Sequence, residues 1–269
     1  MVAVFKQISY NKTMKKIIFP EGNNPFIKQA TQQLQTICQP LLLEGGPQAL
    51  TTASSMLKSG SAEVMIAGID CPTRDVIIAS RDIVGLPDGQ KTFASLFVCD
   101  LPDGRRLILA DGATCKNPTA EQLADIVVLT HQASVKILDQ PPRLAMLSFS
   151  TFGSGGRDLS IDKIHQALEL AKARLPNALI DGEMQLDAAI NPRIGRKKAP
   201  QSPVAGQANV LITPDLNSGN ILYKALEQLA GAHVAGPVLL GFNKPISDLS
   251  RGSTVTDIVL SAEILLRLS

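Results

Sequence analysis

Near the carboxyl end of the chain, the stretch SDLSRGSTVTDIV gathers a hydroxyl, a fixed cation and a carboxylate around one glycine: Ser250, Arg251, Gly252 and Asp257. Arg251 offers a permanently charged planar fork that matches phosphate oxygens. Asp257 falls early in an apolar, periodic segment, where a carboxylate interacts well with a helix dipole. Three residues before it, Thr254 makes Asp257 equally serviceable as half of a capping pair. Hydroxyl, guanidinium and carboxylate suit a reaction on an anionic group with a proton to move. They also suit a plain helix start, and these residues alone leave both readings open.

Two further loops carry polar groups after apolar runs. SFSTFGSGG, Ser148 to Gly156, offers the hydroxyls of Ser150, Thr151 and Ser154 with glycine amides that can converge on a phosphate or carboxylate. It lacks the GK[ST] ending of a Walker loop, and it describes a solvated strand-to-helix turn as well. PDLNSGN sets Asp215, Asn217 and Gly219 ahead of a periodic segment. There Ser218 or Asn220 serves as helix cap.

The elements that must position these loops repeat one pattern of short apolar run, polar loop and helical periodicity. KKIIFPEGNN leads into PFIKQATQQL, and RLILADGATCKNP into TAEQLADIVVLTHQASVKIL, with Thr119 and Gln122 at capping-box spacing. RLAMLSFSTFGSGGRDL precedes IDKIHQALELAKARL, and ANVLITPDLNSGN precedes ILYKALEQLAG. GPVLLGFNKPISDLSRGS precedes TVTDIVLSAEILLRL. Strands alternating with helices predict an α/β fold with a largely parallel sheet, whose ligands bind beyond the carboxyl ends of the strands.

Composition narrows the partners. Lys+Arg 26 against Asp+Glu 24 leaves a formal charge of +2, and aromatics make up 4% with no Trp, so neither a polyanion field nor base-stacking platforms point to nucleic acid. Cys38, Cys71, Cys99 and Cys115 are far apart and unpaired with His131, His165 or His233, which signals neither a zinc site nor a disulfide frame. Four small thiols in a reducing compartment are expected, with no metal. The opening MVAVFKQISYNKTMKK has no long apolar segment with a cleavage site, and no later run reaches the roughly 18 apolar residues of a membrane span. A cytoplasmic protein with no membrane partner is the expectation. Met14, directly before KKIIFPEG, reads as an original start, with the preceding thirteen residues a loose extension.

Four blocks, ADGATCKNPTAEQLADI, LIDGEMQLDAA, KKAPQSPVAGQANVLITPDLNSGNILYKALEQLAG and GPVLLGFNKPISDLSRG, resemble in order and spacing the phosphate acetyltransferase (phosphotransacetylase) family. The likeness runs from about Gly89 to Asp257 and resumes faintly at MKKIIFPEG. Phosphate butyryltransferases look less similar, lacking SPVAG and DLSRG in this form.

The resemblance implies interconversion of acetyl-CoA and phosphate with acetyl phosphate and CoA, with CoA as substrate and no permanently bound cofactor. It implies an isocitrate/isopropylmalate dehydrogenase-like fold of two α/β domains, with the active-site cleft between them, and a homodimer. Residues 1–88 with 243–269 would form a first, shortened domain and residues 89–242 the second. The catalytic serine, arginine and aspartate of the family fall on Ser250, Arg251 and Asp257: the serine donating to the carbonyl oxygen, the arginine facing anionic substrate, the aspartate taking the thiol proton. Ser150, Thr151, Ser154, Asn217, Asn243, Lys244, Arg74 and Arg81 are the expected substrate-binding residues.

The chain departs from the family pattern in three places. Across LLLEGGPQALTTASSMLKSGSAEVMIAG, against its family counterpart, it lacks several dozen residues, including a stretch with a substrate-facing arginine. An arginine three residues after Asp75 is replaced by Ile78, with Arg74 and Arg81 as nearby candidates read as pointing to other helix faces. The family's frequent cysteine after the AD pair is Gly112. A working acyltransferase, for acetyl or a longer acyl chain, therefore stands against a catalytically weak homologue that binds CoA or acyl phosphate as a regulatory protein.

Overall fold

The computed structural model describes residues 14–269, and the extension read at residues 1–13 lies outside them. In chain order the elements are β1 (Lys16–Phe19), α1 (Pro25–Leu34), β2 (Gln39–Leu42), α2 (Ala49–Ser59), β3 (Val64–Ala67) and α3 (Thr73–Ala79), which continues as a π-helical turn over Ser80–Val84. Then come β4 (Ala94–Asp100), β5 (Arg106–Ala110), α4 (Ala120–Ile137), β6 (Arg143–Leu147), α5 (Leu159–Arg174) and β7 (Leu179–Met184). The rest are α6 (Leu186–Ile190), α7 (Pro192–Lys198), β8 (Val210–Ile212), α8 (Leu216–Ala230), β9 (His233–Leu240), β10 (Ile246–Asp248) and α9 (Val255–Leu268).

Local chemistry accounts for the helix starts. Asn24 accepts from the Phe26 amide with Pro25 in the first turn of α1, and α4 opens on the expected capping box of Thr119 and Gln122. Asp215, rather than Ser218 or Asn220, caps α8, because its carboxylate accepts both the amide and the hydroxyl of Ser218 at 2.9 Å.

All ten strands join one mixed sheet in the order β2-β1-β3-β10-β9-β4-β5-β8-β6-β7. Both flanks are parallel, as the alternating pattern predicts, but β10–β9, β9–β4 and β4–β5 are antiparallel. For two of the three the reason is connection length: β4 and β5 are joined by a tight turn at Pro102–Gly104, and β9 to β10 by a few residues, where parallel pairing needs a crossover. The final repeat differs from its sequence pattern for the same cause. GPVLLGF is an antiparallel strand, and the strand that feeds α9 is ISD.

Side chains alternate between two buried faces. Ile17 and Phe19, Leu96 and Val98, and Ile108 and Ala110 meet α1, α4, α5 and α9 in one core, while Ile18, Phe97 and Leu109 face cores on the other side. Burial on both faces explains why the strands read as unbroken apolar runs. β10 pairs with β3, and α9 packs on α1, so the end of the chain returns beside its beginning.

Gly219 fixes how closely α8 approaches the sheet. A Cβ there would lie 2.0 Å from the Asp111 carbonyl oxygen and 2.7 Å from Thr213 Oγ1. Although alanine is the better helix former by about 1 kcal/mol, Gly219→Ala is expected to lose about 1–3 kcal/mol net to overpacking, read as a lower urea midpoint at unchanged slope.

Candidate active site

The candidate catalytic residues sit where β3 and β10 end side by side. The Leu249 amide donates to the Ala67 carbonyl, and Ser250 to Gly252 then form an exposed turn in which Ser250 Oγ accepts from the Gly252 amide at 3.3 Å. Arg251 is exposed, and its guanidinium has no hydrogen-bond or ion-pair partner among the described residues.

Asp257 occupies the position that the dull reading foresaw. Its Oδ2 accepts from both the amide and the hydroxyl of Thr254 at 2.8 Å, and Thr254 Oγ1 accepts from the Asp257 amide, completing a capping box. Oδ1 takes no part in it. The two readings are therefore compatible: one oxygen caps the helix, and the other makes no hydrogen bond among the described residues.

Arg74 stands at the same edge of the sheet, exposed in the first turn of α3, with no partner among the described residues. Arg74 and Ile78 are four apart on one helix, so they share a face, contrary to the sequence reading that put them on different ones. Ile78 is 36% exposed there. Arg81 follows on the π-helical turn, paired with Asp82 at 2.7 Å in full solvent. Asn243 anchors the other end of β10, its amide side chain donating to the Val84 carbonyl at 3.1 Å, with Lys244 beside it.

Strand direction separates the remaining candidates. With three antiparallel pairings between them, β10 and the block β5-β8-β6-β7 run oppositely, so the loops after β6 and β8 open at the edge where β10 begins. Ser250, Arg251, Asp257 and Arg74 form one group. Asn243, Lys244, Arg81, Ser150, Thr151, Ser154 and Asn217 belong to the other edge, and no described hydrogen bond joins the two.

The SFSTFGSGG loop is not a vacant anion cradle. Every amide from Ser150 to Gly156 already donates within the protein: to Ser148 Oγ, Ser154 Oγ, the Glu183 carbonyl, Glu183 Oε1, the Thr151 carbonyl, Ser150 Oγ and the Gly153 carbonyl in turn. Ser150 is fully buried and donates to Glu183 Oε1 at 2.7 Å, and Thr151 is buried against Gln185. Ser154 is exposed with its oxygen engaged, and Asn217 is exposed at the start of α8. The carboxylate that the sequence led us to expect from a ligand is the protein's own Glu183. Burial pushes its carboxyl up, but the bonds from Ser150, the Gly153 amide and His165 (2.5 Å) outweigh that and hold it below the usual range.

Two other buried acids act alike. Glu21 accepts from the amides of Gly68, Ile69, Asp70 and Cys71 at 2.6–3.2 Å. Asp111 takes the Ser95 hydroxyl and the amides of Ala113, Thr114 and Cys115. The sequence reading passed over all three, although each lies at or just past the end of an apolar run (IIFPE, ILAD, LIDGE). Burial pushes the thiols of Cys38 to about 11 and of Cys71 and Cys99 to about 12, and raises that of Cys115, which disfavours the thiolate in each. All four cysteines are free. Among the described residues no cluster of histidine, cysteine or acidic side chains could hold a metal, and no helix is long and apolar enough to cross a membrane.

Comparison with known proteins decides the lineage. The family described as "Phosphate acetyl/butaryl transferase" matches residues 44–265. The chain belongs to this family. The phosphate acetyltransferase of Treponema pallidum is 42% identical over 224 residues, covering 81% of this chain and 67% of that relative. A phosphotransacetylase from Streptococcus pyogenes superposes with a TM-score of 0.86 at 32% identity, covering 96% of this chain and 94% of that one. A 4-hydroxythreonine-4-phosphate dehydrogenase from Klebsiella pneumoniae, at 9% identity and a TM-score of 0.55 over 95% and 99% of the two chains, shares the fold, as the dehydrogenase-like expectation requires. The chain spans about two thirds of the length of some curated relatives it matches and about 30% of longer ones.

Asp248, the last residue of β10, is the acid of this family site without donors to match its burial. It is 1% exposed, its Oδ1 has no partner, and its carboxyl is pushed up to about 6 by burial, opposed by the Thr73 side chain and aided by Glu21. Because the folded state holds this proton more tightly than the unfolded chain, stability falls as pH rises from about 4 through about 6. Asp248→Asn is expected to be more stable than wild type above pH 6, by at most about 3 kcal/mol, with the difference vanishing near pH 4; urea unfolding at several pH values measures it.

Proposed function

We propose that this chain is a phosphate acyltransferase that interconverts acetyl-CoA and phosphate with acetyl phosphate and CoA. The observation that carries the reading is the exposed Ser250–Arg251 turn, with an unpartnered guanidinium, ahead of a helix whose Asp257 keeps one carboxylate oxygen outside its capping box. In the direction of acetyl-CoA synthesis, the CoA thiol gives its proton to Asp257 and its sulfur attacks the acetyl carbonyl. The Ser250 hydroxyl donates to the tetrahedral oxygen. The carbon–oxygen bond to phosphate then breaks, and the phosphate leaves toward Arg251 and Arg74. A thiol with an ordinary pKa of about 8.5 needs only modest help from a positioned carboxylate.

Within the same proposal, residues 1–88 with 243–269 form the first domain and 89–242 the second, with the transfer in the cleft between them and the enzyme in the cytoplasm. Asn217, Asn243, Lys244, Ser154 and Arg81 serve the more distant parts of the substrates, and buried Ser150 and Thr151 act through loop shape. No cofactor is permanently bound. The weaker reading, a CoA- or acyl-phosphate-binding homologue with little turnover, is favoured by Ile78, an exposed apolar side chain beside Arg74, and by the arginine-bearing stretch that the family resemblance counts as missing.

Assay of thiol release and acyl-CoA formation with acetyl, propionyl and butyryl phosphate tests the proposal. Arg251→Ala is expected to lose about 100- to 1,000-fold in kcat, the cost of one transition-state donor, and Asp257→Asn to lose turnover while staying folded. Thr254→Ala separates the two roles of Asp257, costing about 1 kcal/mol of stability with turnover kept. Turnover unchanged in Asp257→Asn would remove it as base, and no turnover in wild type would leave the binding homologue.

The homodimer is proposed on α8. Its stripe Ile221, Ala225, Leu229 recurs every fourth residue, with Ile221 67% and Leu229 86% exposed, and only Gly219 of the helix is buried. A second copy packed antiparallel sets Ile221 against Leu229 in both directions around Ala225, a self-complementary large-small-large match. Light scattering on Ala225→Arg is expected to give a monomer where wild type is a dimer; a dimer that persists would move the interface elsewhere.

A further inference from the structure

β10 is only three residues long, yet the Ser250–Arg251 turn hangs from its end, so something beyond the strand ladder must hold that turn in place. Two contacts are backbone. The Leu249 amide bonds the Ala67 carbonyl, and Gly68 leaves no room for a side chain, since a Cβ would lie 2.3 Å from Asp248 Oδ1, 2.7 Å from the Leu249 nitrogen and 2.8 Å from its oxygen. The turn is therefore seated on the bare α-carbon of Gly68.

The third contact is the Asp248 carboxyl, 1% exposed between the two loops, its Oδ1 against the bare α-carbon of Gly68 and its proton affinity lowered by the side chain of Thr73, the residue before Arg74. With one oxygen bare, this acid opposes folding at neutral pH, so it is not there as glue. What its position does supply is a link. On one side lies the β3–α3 loop, whose amides Glu21 gathers, followed by Arg74 and Asp75 on α3. On the other, two residues on, stand Ser250 and Arg251.

We infer that Asp248 is a positioning residue, whose buried carboxyl holds the Ser250–Arg251 turn and the Arg74-bearing start of α3 in one fixed relation. Its effect on transfer rests on the acyltransferase reading; its effect on the two loops does not. Two cations that must meet the same phosphate come from segments distant in the chain, and a displacement of about 1 Å between them is enough to cost about 100-fold.

The experiment compares Asp248→Leu and Thr73→Val, which break the link without emptying the space, with Asp248→Asn, which keeps it. In the first two, amide hydrogen exchange is expected to accelerate together over residues 68–75 and 249–253, with α4 unchanged. Their kcat/KM should fall by about 100-fold, chiefly through KM for acyl phosphate. Asp248→Asn should restore KM and both exchange patterns. Wild-type exchange with unchanged KM in Asp248→Leu overturns the inference, as does acceleration spread evenly into α4, which would mark a merely structural residue. If wild type turns over no acyl phosphate, the acyltransferase reading fails, and the exchange comparison still decides the role of Asp248.

Discussion

A carboxylate taken out of water must find hydrogen-bond donors, and three buried acids in this protein find theirs in the loops that leave the strands. Glu21 collects four consecutive amides of the β3–α3 loop, Asp111 three amides of its own loop and the Ser95 hydroxyl, and Glu183 the Ser150 hydroxyl, the Gly153 amide and His165. These are the edges where an α/β sheet presents ligand loops. Glycine- and serine-rich segments that would otherwise wander are thereby given one shape by charge-assisted bonds in a dry environment. The cost is that amides spent on an internal acid cannot greet a phosphate.

That exchange explains where free positive charge remains. At the paired ends of β3 and β10 the internal acid Glu21 has satisfied the loop amides, so in the proposed reaction an anion there would be met by side chains, and Arg251 and Arg74 are the exposed cations without a partner among the described residues. Asp257 divides its two oxygens between cap and solvent. A helix start that is stable by itself could thus also present the proposed base, with no separate scaffold for it.

On the β1–β3 flank, Ile78 stands exposed on α3 beside Arg74, and the short connection between β2 and α2 carries the glycine pair Gly45–Gly46, with open space at each α-carbon. At the centre of the sheet three antiparallel pairings join its two halves, and removing a strand there would divide the core.

Much was legible in residue order. Four strand-loop-helix units, the capping boxes at Thr119 and Thr254 and the free thiols follow from local preferences and composition, and the Ser250–Arg251–Asp257 motif from the family resemblance. The strands QPLL, VMIA, ASLFVCD, LIDGEM and ISD escaped because a short apolar run has no periodicity of its own. Only the tertiary structure decided that the sheet turns antiparallel at its centre, which sends the loops after β6 and β8 to the opposite edge from Ser250. Likewise, nothing local distinguishes a Glu183 that fills the SFSTFGSGG loop from one in solvent. Partners such as Glu21 with Cys71, or Asp248 with Thr73, are far apart in the chain and meet only when long-range burial closes over them.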